Sequence, residues 1–190
     1  MPQKRDKRVR CTVQALQDAL ITLLQQKPKS HISVRELCEL ADVNCSTFYV
    51  YYKDINELLD DIEEKIYGHI EMIFETESNG FMQMQHTLEY VKANRIAVLV
   101  LYQQDGGNAE NYFSSIMWEK FDMSYQRSNR CQDIPQARYL YEMLYTGTNG
   151  VIRKWLKNGC IESSKEITQI IWQTVLFYEK QKKFGNTIAF

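Results

Sequence analysis

The stretch Cys45-Ser46-Thr47-Phe48-Tyr49-Val50-Tyr51-Tyr52-Lys53 gathers side chains able to recognise a nucleic acid. Its hydroxyls donate to phosphate oxygens or base edges, and its small apolar groups fit against thymine methyls. In a helix here, Val43, Phe48 and Tyr52 fall inward against neighbouring helices. Cys45, Ser46, Thr47, Tyr49, Val50 and Tyr51 are then left facing out. Thr47, Tyr49 and Tyr51 can reach phosphates, while Cys45, Ser46 and Val50 suit thymine methyls and base edges. No Lys or Arg lies between Arg35 and Lys53, so arginine-to-guanine pairing, the commonest base contact, cannot come from this helix. Positive charge must come from Arg35, Lys53, Lys27 or Lys29, and from the first ten residues, where Lys4, Arg5, Lys7, Arg8 and Arg10 stand against Asp6 alone.

Catalysis finds no comparable grouping. The three histidines (31, 69, 86) and five cysteines (11, 38, 45, 131, 160) show no metal-ligand or nucleophile–base spacing, and there is no glycine-rich phosphate loop. No enzyme activity, metal or cofactor is expected. The scattered, odd-numbered cysteines fit a reducing cytoplasm. No apolar run approaches the roughly 20 residues that span a bilayer, so no membrane partner is expected.

The elements that must hold these residues follow from caps and periodicity. Ser33 with Glu36 is a capping box that opens a helix whose apolar stripe is Val34, Leu37, Cys38 and Ala41. Asp42 and Asn44 interrupt it, and Asn44 caps a second short helix through Tyr51. Two short helices joined by a tight turn form a helix-turn-helix, whose second helix can enter the major groove of double-stranded DNA. A first helix is expected over 9–26, with Val13, Leu16, Leu20, Leu23 and Leu24 on one face, behind a flexible arm at 1–8. Asp54 with Glu57 opens a long helix to about Glu75, buried through Ile55, Leu58, Leu59, Ile62, Ile66, Ile70 and Ile73. The break Glu77-Ser78-Asn79-Gly80 marks a domain boundary: a DNA-binding domain at 1–53, a linking helix at 54–76 and an effector and dimerisation domain at 77–190. Further helices are expected over 81–93, 95–103, 109–128, 136–158 and 165–180, the last opened by the capping box Ser163/Glu166. The fold class is all-α, with about nine helices.

Charge supports this division. Residues 1–53 carry nine Lys/Arg and five Asp/Glu, a net of +4 in a chain of net charge −1, while residues 54–77 hold nine acids and one base. A basic head on an acidic body points to a polyanion at the head alone.

Together these residues resemble the tetracycline-repressor (TetR) family of transcriptional regulators. The resemblance rests on Ile32-Ser33-Val34-Arg35-Glu36-Leu37, on Ala41-Asp42-Val43-Asn44-Cys45-Ser46-Thr47-Phe48-Tyr49-Val50-Tyr51-Tyr52 and on Glu57-Leu58-Leu59. It covers about residues 9–65, and Thr47-Phe48-Tyr49 is its most specific element. Gly147 to Gly159 is similar to the C-terminal domain of a subgroup likened to the dihydroxyacetone kinase activator. The resemblance implies a three-helix DNA-binding head, a long fourth helix and an all-α effector and dimerisation domain. It also implies Thr47, Tyr49 and Tyr51 at DNA, with Arg35 near phosphate. Two departures stand out: Asp42 occupies a turn position usually held by glycine, and Ile55 replaces a lysine usual early in the fourth helix, which leaves Lys53 to supply that contact.

The function expected is that of a ligand-responsive repressor bound to a palindromic operator as a homodimer. The alternatives are an activator, or an interaction protein that answers to a protein partner or to no ligand. An unknown small-molecule effector is expected among Tyr90, Tyr102, Met117, Trp118 and Tyr141. The last two long helices offer a dimer surface through Leu140, Leu144, Val151, Trp155, Ile167, Ile171 and Val175, although part of those faces must form the domain's own core.

Overall fold

In the computed structural model, residues 2–103 and 135–183 are described, apart from certain side chains at their margins. They form eight α-helices and one short 3-10 helix, with no strand among them. The helices are α1 (Pro2–Leu24), α2 (Val34–Ala41), α3 (Cys45–Tyr51), α4 (Ile55–Thr76), α5 (Gly80–Ala93), α6 (Arg95–Leu101), α7 (Pro135–Lys157) and α8 (Ser164–Lys183). The 3-10 turn, Lys29–His31, lies between α1 and α2. The helix expected over 109–128 lies outside the described residues.

One expectation fails at the N-terminus. The basic segment expected as a flexible arm is the opening of α1, which starts at Pro2. Proline is well placed in a first helical turn because its missing N–H has no intrahelical partner there. Gln3, Lys4, Arg5, Lys7 and Arg8 are good helix formers, so the helix anchored by the stripe from Val13 onward extends backward through them.

Packing divides the chain into two units, with the division inside α4 between His69 and Ile70. The first unit takes α1 to α3, the first part of α4 and the segment from Ile96 onward through α6. Its core is Leu16, Leu20, Leu37, Phe48 and Leu58, all fully buried, with Leu23, Leu24, Leu59, Ile62 and Ile66 around them. Apart from Phe48, the inward residue of α3, these are the periodic positions of α1, α2 and α4, as an apolar stripe at 3.6-residue spacing requires. The second unit holds the rest of α4, α5, α7 and α8. It buries Leu88, Val91, Leu156, Ile152, Trp155, Ile167 and Ile171. α5 lies along α8, and Gly80 makes that approach possible: a Cβ there would stand 2.8 Å from Cη2 of Trp172. Phe81 meets the same ring edge-on, with centroids 5.9 Å apart.

Two cations secure the end of α7. Arg95 Nε donates to the Leu156 carbonyl at 2.6 Å, and Lys92 Nζ to the Cys160 carbonyl at 3.1 Å. The Leu156 carbonyl belongs to the last turn of α7, whose carbonyls form the negative pole of the helix, and the Cys160 carbonyl lies in the turn just beyond it. Gly159 (φ 85°) and Cys160 (φ 54°) turn the chain left-handed just beyond, and Cys160 N–H returns to the Trp155 carbonyl at 3.0 Å.

Candidate nucleic-acid interface

The helix-turn-helix is built from its caps. Ser33 Oγ accepts from Glu36 N–H at 3.2 Å and starts α2. The other half of that capping box is not made. The Glu36 carboxylate instead takes Lys27 Nζ at 2.6 and 2.7 Å, which ties the end of α1 to α2. Lys27, one of the cations expected for phosphate, is thus engaged inside the head.

α2 ends in a left-handed residue, Asp42, at φ 52° and ψ 42°. Val43 N–H reaches back to the Cys38 carbonyl at 3.0 Å, closing a Schellman-type turn. Asp tolerates this conformation better than most non-glycine residues, which reconciles its presence with the usual glycine. Asn44 Oδ1 then accepts from Ser46 N–H and Ser46 Oγ, both at 2.8 Å, and opens α3.

α3 shows two faces. Phe48 is fully buried and Tyr52, its C-cap residue, is 7% exposed; their rings lie 5.9 Å apart. On the other face Tyr49 is 60% and Val50 73% exposed, and Ser46 is exposed with them. Val43, Cys45, Thr47 and Tyr51 are half-buried. Burial, and then a thiol hydrogen bond with Cys45, push the Cys38 thiol up to about 12, so Cys38 is a protonated packing group. Cys45 therefore leans on α2 and does not stand fully outward.

The cations of this unit are carried by other elements and by the residue after the α3 C-cap. Arg35 is exposed and paired with Glu39 at 2.9 Å, one turn along α2, and that carboxylate raises its already high pKa. Lys53 is exposed, and its backbone N–H is held by the Glu57 carboxylate at 2.6 Å. Glu57 N–H in turn donates to Asp54 Oδ1 at 3.0 Å, so Asp54 caps the start of α4 while the Glu57 carboxylate reaches back one residue further, to Lys53. On α1, Lys7, Arg8 and Arg10 are exposed.

A part-buried polar cluster joins the C-cap of α3 to α1 and α4, and no sequence signal pointed to it. Tyr52 Oη donates to Asp61 Oδ2 at 2.6 Å, and Gln17 Nε2 donates to the same oxygen at 2.8 Å. Lys65 Nζ donates to Gln17 Oε1 and Gln14 Oε1, both at 3.1 Å. Burial, and then the Asp61 hydrogen bond, raise the Tyr52 phenol well above its usual range. Only the departure of tyrosine from a purely apolar type at an inward position could have signalled a buried acceptor.

The other expected residues are dispersed. Tyr90 is half-buried on α5, where burial raises its phenol pKa, and Tyr102 is half-buried just past α6 in the other unit. Met117 and Trp118 lie outside the described residues; Tyr141 is on α7, its side chain likewise outside them. An open groove of about 780 Å³ in the first unit is lined by Leu24, Lys27, Pro28, Lys29, Asp54 and Ile55 among others, with none of these five expected residues.

For the dimer surface, Trp155, Ile167 and Ile171 are buried within the protomer, and Trp155 Nε1 donates to the Glu162 carbonyl at 3.0 Å. They complete the unit's own core because they face α5 and each other's helix. Leu144 and Val151 are half-buried, and the side chains of Leu140 and Val175 lie outside the described residues. Among the described side chains of these helices, the exposed large apolar ones are Tyr139 (78%), Met143 (59%) and Ile170 (52%).

Residues 79–176 match the family described as the transcriptional regulator C-terminal region, TetR_C_8, over more than half of the chain. The chain belongs to the TetR family of transcriptional regulators. Regulators of this family bind DNA, typically as dimers, and they are not enzymes. Among relatives, the chain is 26% identical over 178 residues to the uncharacterized HTH-type transcriptional regulator YxbF of Bacillus subtilis (strain 168). That match takes in 89% of this chain and 45% of the relative, so the chain spans about half the length of the curated relative it matches. Two solved structures share the TetR fold. One is a TetR transcriptional regulator from Streptococcus agalactiae 2603V, with TM-score 0.64 and 22% identity over 92% of this chain and 99% of that one. The other is the dihydroxyacetone kinase operon activator DhaS, with TM-score 0.60 and 21% identity over 89% of this chain and 96% of that one. Among the described residues, no helix is long and apolar enough to cross a membrane.

Proposed function

We propose that this TetR-family chain is a homodimeric, ligand-responsive repressor that reads a palindromic operator with α3. The observation that carries this is the exposed face of α3, where Ser46, Tyr49 and Val50 stand clear of a core closed by Phe48 and Tyr52. Thr47 and Tyr51 flank that face, and Arg35, Lys53 and the cations of α1 supply phosphate contacts around it. Phosphate contacts set position, and the face of α3 selects sequence. One short helix without a basic residue makes few contacts, so a second copy is needed, placing two such helices about one helical turn apart.

In this reading residues 1–53 form the DNA-binding domain, 54–76 the linking helix and 77–190 the effector and dimerisation domain. α4 is the continuous rod by which an effector bound in the second domain shifts the population of head spacings away from that of the operator. Tyr90, half-buried with its phenol, suits an aromatic-lined effector site. The exposed Tyr139, Met143 and Ile170, with Leu144 and Val151, suit contact with a second copy.

Selection of bound fragments from random double-stranded DNA tests the proposal. Recovery of an inverted repeat with half-sites about one helical turn apart, or a multiple of it, is expected. Binding that falls steeply with salt and shows no sequence preference would exclude an operator-reading role.

A further inference from the structure

Tyr52 carries a hydroxyl that burial does not require. Its ring packs on Phe48, and a phenylalanine would fill the same volume. A buried hydroxyl costs free energy unless it is bonded, and this one donates to Asp61 Oδ2 at 2.6 Å. That length is typical of a hydroxyl bonded to an ionised carboxylate, one of the stronger and more directional contacts a protein makes. The same oxygen takes the amide of Gln17, a side chain only 5% exposed on α1. Gln17 is itself fixed from its other end by Lys65 of α4. Asp61 therefore joins three elements: α4, which carries it, α1 through Gln17, and the C-cap of α3 through Tyr52.

α3 is seven residues long and fully buries one of them, Phe48; the Tyr52 ring packs beside it at the C-cap, and Cys45 rests on α2. Apolar packing is non-directional and fixes the rotation of so short a helix only weakly. The bonded Tyr52 hydroxyl, four residues beyond Phe48, adds a directional fixed point.

We propose that Asp61 is the positioning residue of the recognition helix, holding the Tyr52 hydroxyl and the Gln17 amide so as to set the angle at which α3 meets DNA. The proposal rests on the DNA-reading role assigned to α3 above. In that role Asp61 touches no nucleotide. It converts a loosely seated helix into one whose Ser46, Tyr49 and Val50 arrive in register, and it makes α3 move with α4.

Two measurements on the full chain test it together. The first is amide hydrogen exchange across α3 in wild type, Tyr52→Phe, Asp61→Ala and Asp61→Asn. Exchange at Phe48 to Tyr52 should rise in Tyr52→Phe and Asp61→Ala, with α5 amides unchanged. Asp61→Asn, which keeps an acceptor oxygen, should restore most of the protection. The second is affinity for a selected operator fragment and for an unrelated duplex. Tyr52→Phe should lose about tenfold on the operator, an amount in keeping with one charge-assisted hydrogen bond, and keep its affinity for the unrelated duplex.

Unchanged α3 exchange in both Tyr52→Phe and Asp61→Ala would overturn the proposal. So would operator binding by Tyr52→Phe within twofold of wild type, or an equal loss on both DNAs, which would mark a purely structural role. If wild type itself selects no operator, the DNA-reading role fails, and the exchange measurement still decides whether Asp61 anchors α3.

Discussion

Tyr49 and Asp42 show how single residues divide between recognition and folding. Tyr49 is mostly exposed beside a fully buried Phe48, its ring meeting that neighbour edge-on at 5.3 Å. Tyr49→Ala should weaken operator binding by about tenfold or more, the scale of one good base or phosphate contact, and leave the far-UV circular dichroism unchanged. Loss of helicity would show that its ring supports the fold. Asp42 sits at φ 52°, a conformation that costs an ordinary L-residue roughly 1–2 kcal/mol. Asp42→Gly should therefore match or exceed wild type in thermal unfolding, while Asp42→Val should lose about 1–2 kcal/mol. Equal midpoints for the two variants would exclude this account of the turn.

The helices are held by local caps and by a few long-range contacts. At the start of α8, Ser163 Oγ accepts from Glu166 N–H at 3.2 Å, and Ser163 N–H donates to the Glu166 carboxylate at 2.8 Å. The Ser163 hydroxyl, and then its backbone N–H, hold Glu166 below its ordinary value of 4.5. A depressed carboxylate binds its proton less tightly when folded than unfolded. Its contribution is therefore complete above 4.5 and is lost as pH falls through the lower, folded value. Amide exchange in the first turn of α8 should accelerate relative to the helix centre below that range, and Glu166→Gln should remove the pH dependence. Gly80 is a different kind of contact. Its Cα lies against the Trp172 ring, so Gly80→Ala should cost about 1–3 kcal/mol in denaturant unfolding through overpacking. A variant as stable as wild type would show that the ring moves aside freely.

At the scale of the whole molecule, the proposed function requires a second copy and α4. Tyr139 and Met143 lie one turn apart on α7 and are the more exposed of its described apolar side chains. A paired change, Tyr139→Glu with Met143→Glu, should shift the chain from dimer to monomer in sedimentation and weaken operator binding, with helicity retained. Persistence of the dimer would move the interface elsewhere. Trp155, Ile167 and Ile171 are poor choices for that experiment, because they are core residues of the protomer and their loss would unfold the unit.

Much of the fold was legible because helix signals are local. A cap acts across three or four residues, so Ser33, Asn44, Asp54 and Ser163 marked the starts of α2, α3, α4 and α8 from spacing alone. The stripes of α1 and α4 were legible for the same reason, and so was the division of α3 into an inward Phe48 and Tyr52 and an outward Tyr49 and Val50. What local spacing could not decide was partnership. Glu36 completes no box because Lys27, nine residues away, takes its carboxylate. Gln17 and Asp61 meet across 44 residues of chain. Whether Trp155 faces a second copy or its own core depends on α5 and α8 together. Helical periodicity records which side of a helix is apolar, and only the packing of one helix on another determines what that side meets.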